Sequence, residues 1–244
     1  MNGPYGGFAA LYDEFMAGTD YTGWADYIEK IFVRFDASPK LLLDLGCGTG
    51  SATRLFSARG YDMIGLDSSA EMLSIAKGKD PDNLYILQDM RSFELYGTVD
   101  AIISTCDVLN YLLTPRDLYR VFRLAANYLN PGGLFIFDMN TRYKYRRVLG
   151  NRTFARQTNK AAFIWNNRYY PKQCINEYRL TFFRKQENGL FARFRERHTQ
   201  RAYPPGTICG LLKAAGLNCL AVYGEKTFAP PKSDTERVFY VAQR

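Results

Sequence analysis

The chain has 244 residues, 47% hydrophobic and 23% charged, with a formal net charge of +8, enough to bury a full core in one domain with room for an insertion. No apolar run approaches about 18 residues, and the start, MNGPYGGFAALYDEFM, lacks the basic region and long apolar core of a signal peptide, so neither a membrane span nor export is expected. Five cysteines without a C-x-x-C pair suit free thiols in a reducing cytoplasm, and a single histidine among scattered cysteines argues against zinc.

The first predicted helix is YTGWADYIEKIFVRF, where Trp24, Ile28, Ile31, Phe32 and Phe35 fall on one stripe that packs on a core. Ahead of it, AALYDEF contributes Tyr12.

LLLDLGCGTG follows, residues 41–50. Leu41, Leu42, Leu43 and Leu45 form an apolar run with no solvent face, as in a central parallel strand buried on both sides. Gly46, Gly48 and Gly50, with Cys47 between the first two, let the chain turn tightly and let a ligand approach the main chain. The next stretch, TGSATRLFSARG, reads as a helix with Leu55 and Phe56 on one face and Gly60 as its C′ residue. Strand, glycine turn and helix make the first βα unit of a nucleotide-binding sheet. A dinucleotide fingerprint would need a third small residue, glycine or alanine, at position 51, which is Ser51. The acid at Asp44 would also repel a pyrophosphate, whereas it suits a cationic ligand end. An NAD-dependent oxidoreductase is thereby disfavoured.

A second strand ends YDMIGLD at Asp67, whose carboxylate can accept both hydroxyls of a ribose. SSAEML then starts a helix with Ser68 or Ser69 as N-cap and Glu71 in its first turn, and Met72 offers either core packing or a soft wall for an adenine ring. A third strand, LYILQDM, ends in Asp89-Met90, where an acid can accept an adenine amino group. A fourth, VDAIISTCDVLNY, ends in Cys106-Asp107. Four strands thus bring polar or small groups to one edge, the edge at which open α/β sheets bind ligands.

LLLDLGCGTG, GLDSSAEML, QDM and PGGLFIFDMNT, in this order and spacing, resemble a class I S-adenosylmethionine-dependent methyltransferase of the small bacterial type with a β-sheet insertion. The resemblance covers residues 38–140 well and LLKAAGL with the strands after it more loosely. It implies an α/β fold with a seven-stranded Rossmann-like sheet in the order 3-2-1-4-5-7-6 and the last strand antiparallel. It further implies that the turn from Gly46 through Cys47 and Gly48 to Gly50 holds the methionine portion of the cofactor, with Asp44 fixing its ammonium end. Asp67, with Ser68 beside it, would take the ribose, and Asp89-Met90 the adenine near Met72. Cys106-Asp107 would line the same edge, and Tyr12 and the Trp24 helix would close over the cofactor. DMNT at 138–141 lacks the N-P-P-Y/F pattern that goes with methylation of planar amino groups.

Residues 141–203 are too long for an ordinary loop. FIWNNRYY, CINEYRLTFF and LFARFRERHTQRAY, with KQENG as a turn between the last two, read as a small antiparallel sheet inserted over the ligand edge. The chain then divides into residues 1–140, the inserted lid 141–203, and a closing helix and two strands in 204–244. The insertion holds 16 of the 32 Lys and Arg but 3 of the 24 Asp and Glu, a net +13 against −5 for the remainder. Such asymmetry with interleaved aromatics also suits RNA, leaving an RNA-directed methyltransferase or a non-catalytic RNA- or partner-binding module as alternatives to a small-molecule enzyme. By period two, Arg193, Arg195, Arg197 and Arg201 share one face of the last lid strand, and Phe194, Glu196, His198 and Gln200 the other. Four arginines suit a face turned to water. The opposite face would roof the cleft, where His198 with Glu196 could serve as base for a hydroxyl acceptor, or as a hydrogen-bonded structural pair.

Overall fold

The computed structural model describes residues 12–14, 16, 18–159 and 161–244. The stretch before Tyr12, on which the reading of the chain start rests, lies outside them. Helix α1 (Tyr21–Arg34) begins where the Asp20 carboxylate accepts the Gly23 N–H at 2.9 Å. It buries Trp24, Ile28, Ile31 and Phe32, and Phe35 stands half-buried at its C-cap.

The main sheet alternates with helices: β1 (Leu41–Leu45), α2 (Ser51–Ser57), β2 (Asp62–Asp67), α3 (Ala70–Lys79), β3 (Leu84–Leu87), β4 (Val99–Ser104), α4 (Pro115–Tyr128), β5 (Leu129–Asn140). After an insertion of β6 (Thr153–Gln157), β7 (Ala161–Tyr170), β8 (Ile175–Lys185) and β9 (Phe191–Arg201), the chain returns as α5 (Pro205–Ala214), β10 (Asn218–Gly224) and β11 (Arg237–Gln243). The seven-stranded order is β10-β11-β5-β4-β1-β2-β3, with β11 antiparallel to both neighbours. With the inserted strands set aside, this is the order 3-2-1-4-5-7-6.

Alternation across β5 shows why the sheet is apolar on both faces. Leu134 and Ile136 pack with α1 residues Ile28 and Phe32, while Phe135 and Phe137 pack with Leu118, Val121 and Phe122 of α4 and Ile208 and Leu212 of α5. All of these are at most 3% exposed. Truncating one of the phenylalanines to alanine would cost about 3–5 kcal/mol.

The structure sharpens several boundaries. Helix α2 stops at Ser57, and Gly60 supplies a left-handed residue (φ +93°) beyond it. Ser69, not Ser68, caps α3, accepting the Met72 N–H at 3.2 Å. Strand β3 is an edge strand with Leu84 and Leu87 exposed. Strand β4 ends at Ser104, so Cys106 and Asp107 are not strand residues: they form a left-handed turn (φ +67° and +52°) into a 3-10 turn, Val108–Tyr111.

The insertion is a four-stranded antiparallel meander, β6-β7-β8-β9. Three of its strands follow the aromatic runs read from the sequence. β6 and a π-helical turn at Lys144–Leu149 do not, since TFARQ is short and largely exposed. Register pairs Phe182 with Phe194, Leu180 with Glu196 and Tyr178 with His198, so these share the inner face.

Candidate active site

A cleft of about 820 Å³ opens at the carboxyl ends of β1, β2, β3 and β4. Its floor is the glycine turn, anchored where the Gly46 and Cys47 N–H groups donate to the Leu66 carbonyl at 2.7 and 3.0 Å. Gly48 adopts φ +55°, and a Cβ built there would meet nothing within 4 Å, so the cleft over it is open backbone. Gly50 differs. It does not line the cleft, and a Cβ on it would stand 2.7 Å from the Tyr85 hydroxyl, so it serves close packing of the turn on β3.

Carboxylates surround this floor. Asp44 is 2% exposed, accepts the Thr53 hydroxyl at 2.6 Å, and burial pushes its carboxyl up to about 6. Asp67 accepts the Gly48 N–H at 2.9 Å on one oxygen and the Ser69 N–H at 2.8 Å on the other, tying the glycine turn to the start of α3. Burial raises its pKa despite those bonds. Asp89 is held by Arg91, whose guanidinium lowers the Asp89 pKa. Asp44, Cys47, Asp67, Ser68, Met72, Asp89, Met90 and Cys106 all line the one cleft, as do Gly46 and Gly48.

The amino-terminal side closes it. Tyr12, Tyr21 and Cys106 line the cleft together, and burial pushes the Tyr21 hydroxyl well above its ordinary value. Tyr12 also packs on lid residues Phe163, Leu180, Phe182 and Phe194. Next to it, Asp13 accepts the Thr49 hydroxyl at 2.7 Å and pairs with Lys79. The segment is thus pinned to the glycine turn on one side and to the lid on the other.

Besides Gly50, four residues expected at the site stand behind its wall. Trp24 is buried in the α1 packing, its ring 5.1 Å from the Arg237 guanidinium. Asp107 is taken by Arg237 (2.8 Å) and by the Gln200 amide (2.7 Å), because its left-handed backbone turns the carboxylate toward β11 and the lid. Arg237 also pairs with the fully buried Asp138, so the acid of DMNT supports the wall rather than facing the cleft. His198 and Glu196 do not line the cleft. They lie one residue back, with His198 Nδ1 3.2 Å from the Tyr111 hydroxyl and Nε2 3.0 Å from Glu196.

The outer lid face carries exposed Arg193, Arg195 and Arg197, as the alternation predicts, while Arg201 is half-buried and donates to the Leu113 carbonyl at 2.9 Å. Arg197 pairs with Glu177, a buried acid that also accepts from Arg179. Sequence reasoning missed Tyr21, Thr49, Thr105 and Tyr111, all in the cleft lining. Only Thr49, inside the glycine turn, had a positional signal. Among the described residues no cluster of metal-ligating side chains occurs, and no helix is long and apolar enough to cross a membrane.

An open sheet with a glycine turn and carboxylates at successive strand ends defines a Rossmann-like, nucleoside-binding enzyme. Comparison makes the family specific. The methyltransferase domain family matches residues 42–133. The YqeM protein of Bacillus subtilis (strain 168), provisionally named a methyltransferase, is 33% identical over 245 residues, spanning 98% of this chain and 97% of its own length. The dTDP-3-amino-3,4,6-trideoxy-alpha-D-glucopyranose N,N-dimethyltransferase of Streptomyces venezuelae is 32% identical over 132 residues, 53% of this chain and 56% of that protein. The crystal structure of an S-adenosylmethionine-dependent methyltransferase from Clostridium acetobutylicum ATCC 824 superposes with a TM-score of 0.87 at 31% identity, covering 98% of both chains. The chain belongs to the S-adenosylmethionine-dependent methyltransferases.

Proposed function

We propose that the cleft between the glycine turn and the amino-terminal cover holds S-adenosylmethionine, and that the enzyme methylates a small molecule admitted under the lid. The observation that carries this reading is the convergence in one cleft of open backbone at Gly48 with Asp44, Asp67 and Asp89 from three successive strand ends. Gly46, Cys47 and Gly48 would hold the methionine portion, with Asp44 toward its ammonium end. Asp67 would accept the ribose hydroxyls, its oxygens retaining lone pairs beyond those used by Gly48 and Ser69. Met72, Met90 and Asp89 would bound the adenine, and Tyr12 and Tyr21 would cover the reacting end. Gly50, Trp24 and Asp107 support these groups from behind.

When bound, the cofactor supplies an electrophilic methyl group on a sulfonium, open to in-line attack. The chain's own contribution is alignment and exclusion of water. The Asp13 and Tyr12 contacts, with the inner lid face, close the cleft around the acceptor. Residues 141–203 act as that lid. The Streptomyces relative is named for an amino sugar, which supports a small polar acceptor. Five cysteines, all free thiols, suit action in the cytoplasm.

Calorimetry with S-adenosylmethionine, S-adenosylhomocysteine and NAD in parallel tests the reading. Binding of the first two without the third is the expected result. Tight NAD binding, or no binding of S-adenosylmethionine, would overturn it.

A further inference from the structure

We infer that Gln200 of the lid is a positioning residue: its amide holds the Cys106–Asp107 turn, and through that turn the docking of the lid sets the wall of the cofactor cleft. This rests on the cofactor and lid placement proposed above and adds the group that joins them.

The turn needs holding. Cys106 and Asp107 are consecutive and both left-handed, at φ +67° and +52°, a region costly to any residue with a Cβ. The Asp107 N–H donates to Asp138 Oδ2 at 2.9 Å, which fixes the backbone from β5. The Asp107 carboxylate is then divided. Its Oδ1 accepts from Arg237 of β11 at 2.8 Å, and its Oδ2 accepts from the Gln200 amide of β9 at 2.7 Å. One oxygen is held by the main sheet and the other by the lid.

An amide suits position 200 as neither an acid nor an apolar residue would. Gln200 is 1% exposed, and its Oε1 accepts the Tyr145 and Tyr178 hydroxyls at 2.8 and 2.6 Å. Burial holds both phenols well above their ordinary range, so they remain donors. A carboxylate only accepts, so the group facing Asp107 is the Gln200 NH2. The side chain thus accepts twice from within the lid and donates across to the turn. A leucine there would leave two phenols and an Asp107 oxygen without these partners.

Held in this place, the turn is part of the wall. Thr105, Cys106 and Val108 line the cleft. Val108 packs so closely on the glycine floor that a Cβ built on Gly46 would stand 2.4 Å from one of its methyls. A shift of the turn therefore moves Val108 against the floor where the methionine portion would lie. Farther along, Asn110 donates to the Arg201 carbonyl at 2.8 Å, and the Tyr203 hydroxyl donates to the Leu112 carbonyl at 2.6 Å. These bonds do not use the Gln200 side chain, so its variants should fold.

Gln200→Glu separates holding from filling, because it keeps the shape and changes the donor. The charged and titratable groups around position 200 are Asp107 on the turn with Arg237 and Asp138 behind it, Tyr145, Tyr178 on β8, and His198 on the same face of β9. Arg237 already serves two acids, so burial and Asp107 raise the pKa of a carboxyl introduced there. Its protonated form donates to Asp107 as the amide does, so the hold is present at low pH and lost as pH rises through that raised pKa. Hydrogen exchange by mass spectrometry, read against wild type at the same pH so that His198 cancels, should show equal protection of residues 105–111 at pH 5. At pH 8 that segment should exchange about tenfold faster or more in Gln200→Glu, as in Gln200→Ala at both pH values, with residues 41–45 unchanged. Affinity for S-adenosylhomocysteine by calorimetry should follow the same pattern, equal to wild type at pH 5 and about tenfold weaker at pH 8. A turn as protected as wild type in Gln200→Glu at pH 8 overturns the proposal. So does exchange that rises equally in residues 41–45, or an affinity that keeps one ratio to wild type at both pH values. Failure of the wild type to bind S-adenosylhomocysteine would sink the cofactor reading instead, while hydrogen exchange still judges the hold on the turn.

Discussion

Asp67→Ala removes a group with two jobs, and the structure separates them. The carboxylate holds the Gly48 and Ser69 N–H groups and, in the account above, the ribose of the cofactor. Leaving two backbone donors without their charged partner costs about 1–3 kcal/mol each when the site is dry. The cleft admits water, and the mutation also relieves a burial cost that raises the Asp67 pKa. The net loss of stability should therefore sit near the lower end, about 2 kcal/mol, or roughly 4–8 °C in Tm for a chain of this size. Loss of the charged partner to the ribose adds about 1.5–3 kcal/mol in binding, a fall in affinity of about tenfold to a hundredfold. Asp67→Asn keeps one acceptor oxygen for the turn but offers a donor where the ribose needs an acceptor. It should be the more stable variant and still bind poorly. Thermal unfolding and calorimetry with S-adenosylmethionine measure the two effects. Wild-type affinity in both variants would refute the ribose role, and a wild-type Tm in Asp67→Ala would refute the tie to the turn.

Gly48→Val should abolish cofactor binding, because a β-branched residue is strained at φ +55° and its side chain would occupy the open floor; retained affinity by calorimetry would place the ligand elsewhere. For Asp44 the sign follows from burial, which raises its pKa from 3.8 to about 6: the group's contribution to stability is fully present below its unfolded value and is lost as pH rises through about 6. A cationic ligand favours the charged carboxylate, so the rise in Tm given by S-adenosylmethionine should shrink as pH falls through about 6, and Asp44→Asn should flatten that dependence. A ligand-induced rise equal at pH 5 and pH 8 in the wild type would remove Asp44 from the ammonium end. Replacing Arg193 and Arg195 by Gln should change Tm and cofactor affinity little, since both are exposed. Arg197→Gln should cost more, because it leaves the buried Glu177 with Arg179 alone, and equal Tm values would show that Glu177 does not need it.

The cofactor half of the fold was legible because its signals are local. LLLDL can only be a doubly buried strand, the glycines follow it at once, Asp67 ends the next strand, and Asp89 stands two residues beyond the third, which stops at Leu87 rather than running on to Asp89. What escaped depends on contacts between distant positions. Asp107 reads as a strand-end acid, yet Arg237 lies 130 residues away and claims it. Trp24 reads as a cover for the same reason: its helix is correctly placed, but its ring packs against that arginine. Tyr111 is one aromatic among many until the register of β9 brings His198 behind it. The lid's two faces were legible from period two, because a sheet with water on one side separates arginines from His198 and Gln200. The short, exposed β6 left no pattern to read.

A crystal structure of the complex with S-adenosylhomocysteine tests the central claim most directly. The account predicts the ligand in the cleft, its ribose hydroxyls on Asp67, its homocysteine over Gly48 and its sulfur toward Tyr12 and Tyr111. A ligand bound outside this cleft, or one whose ribose contacts a group other than Asp67, would contradict it.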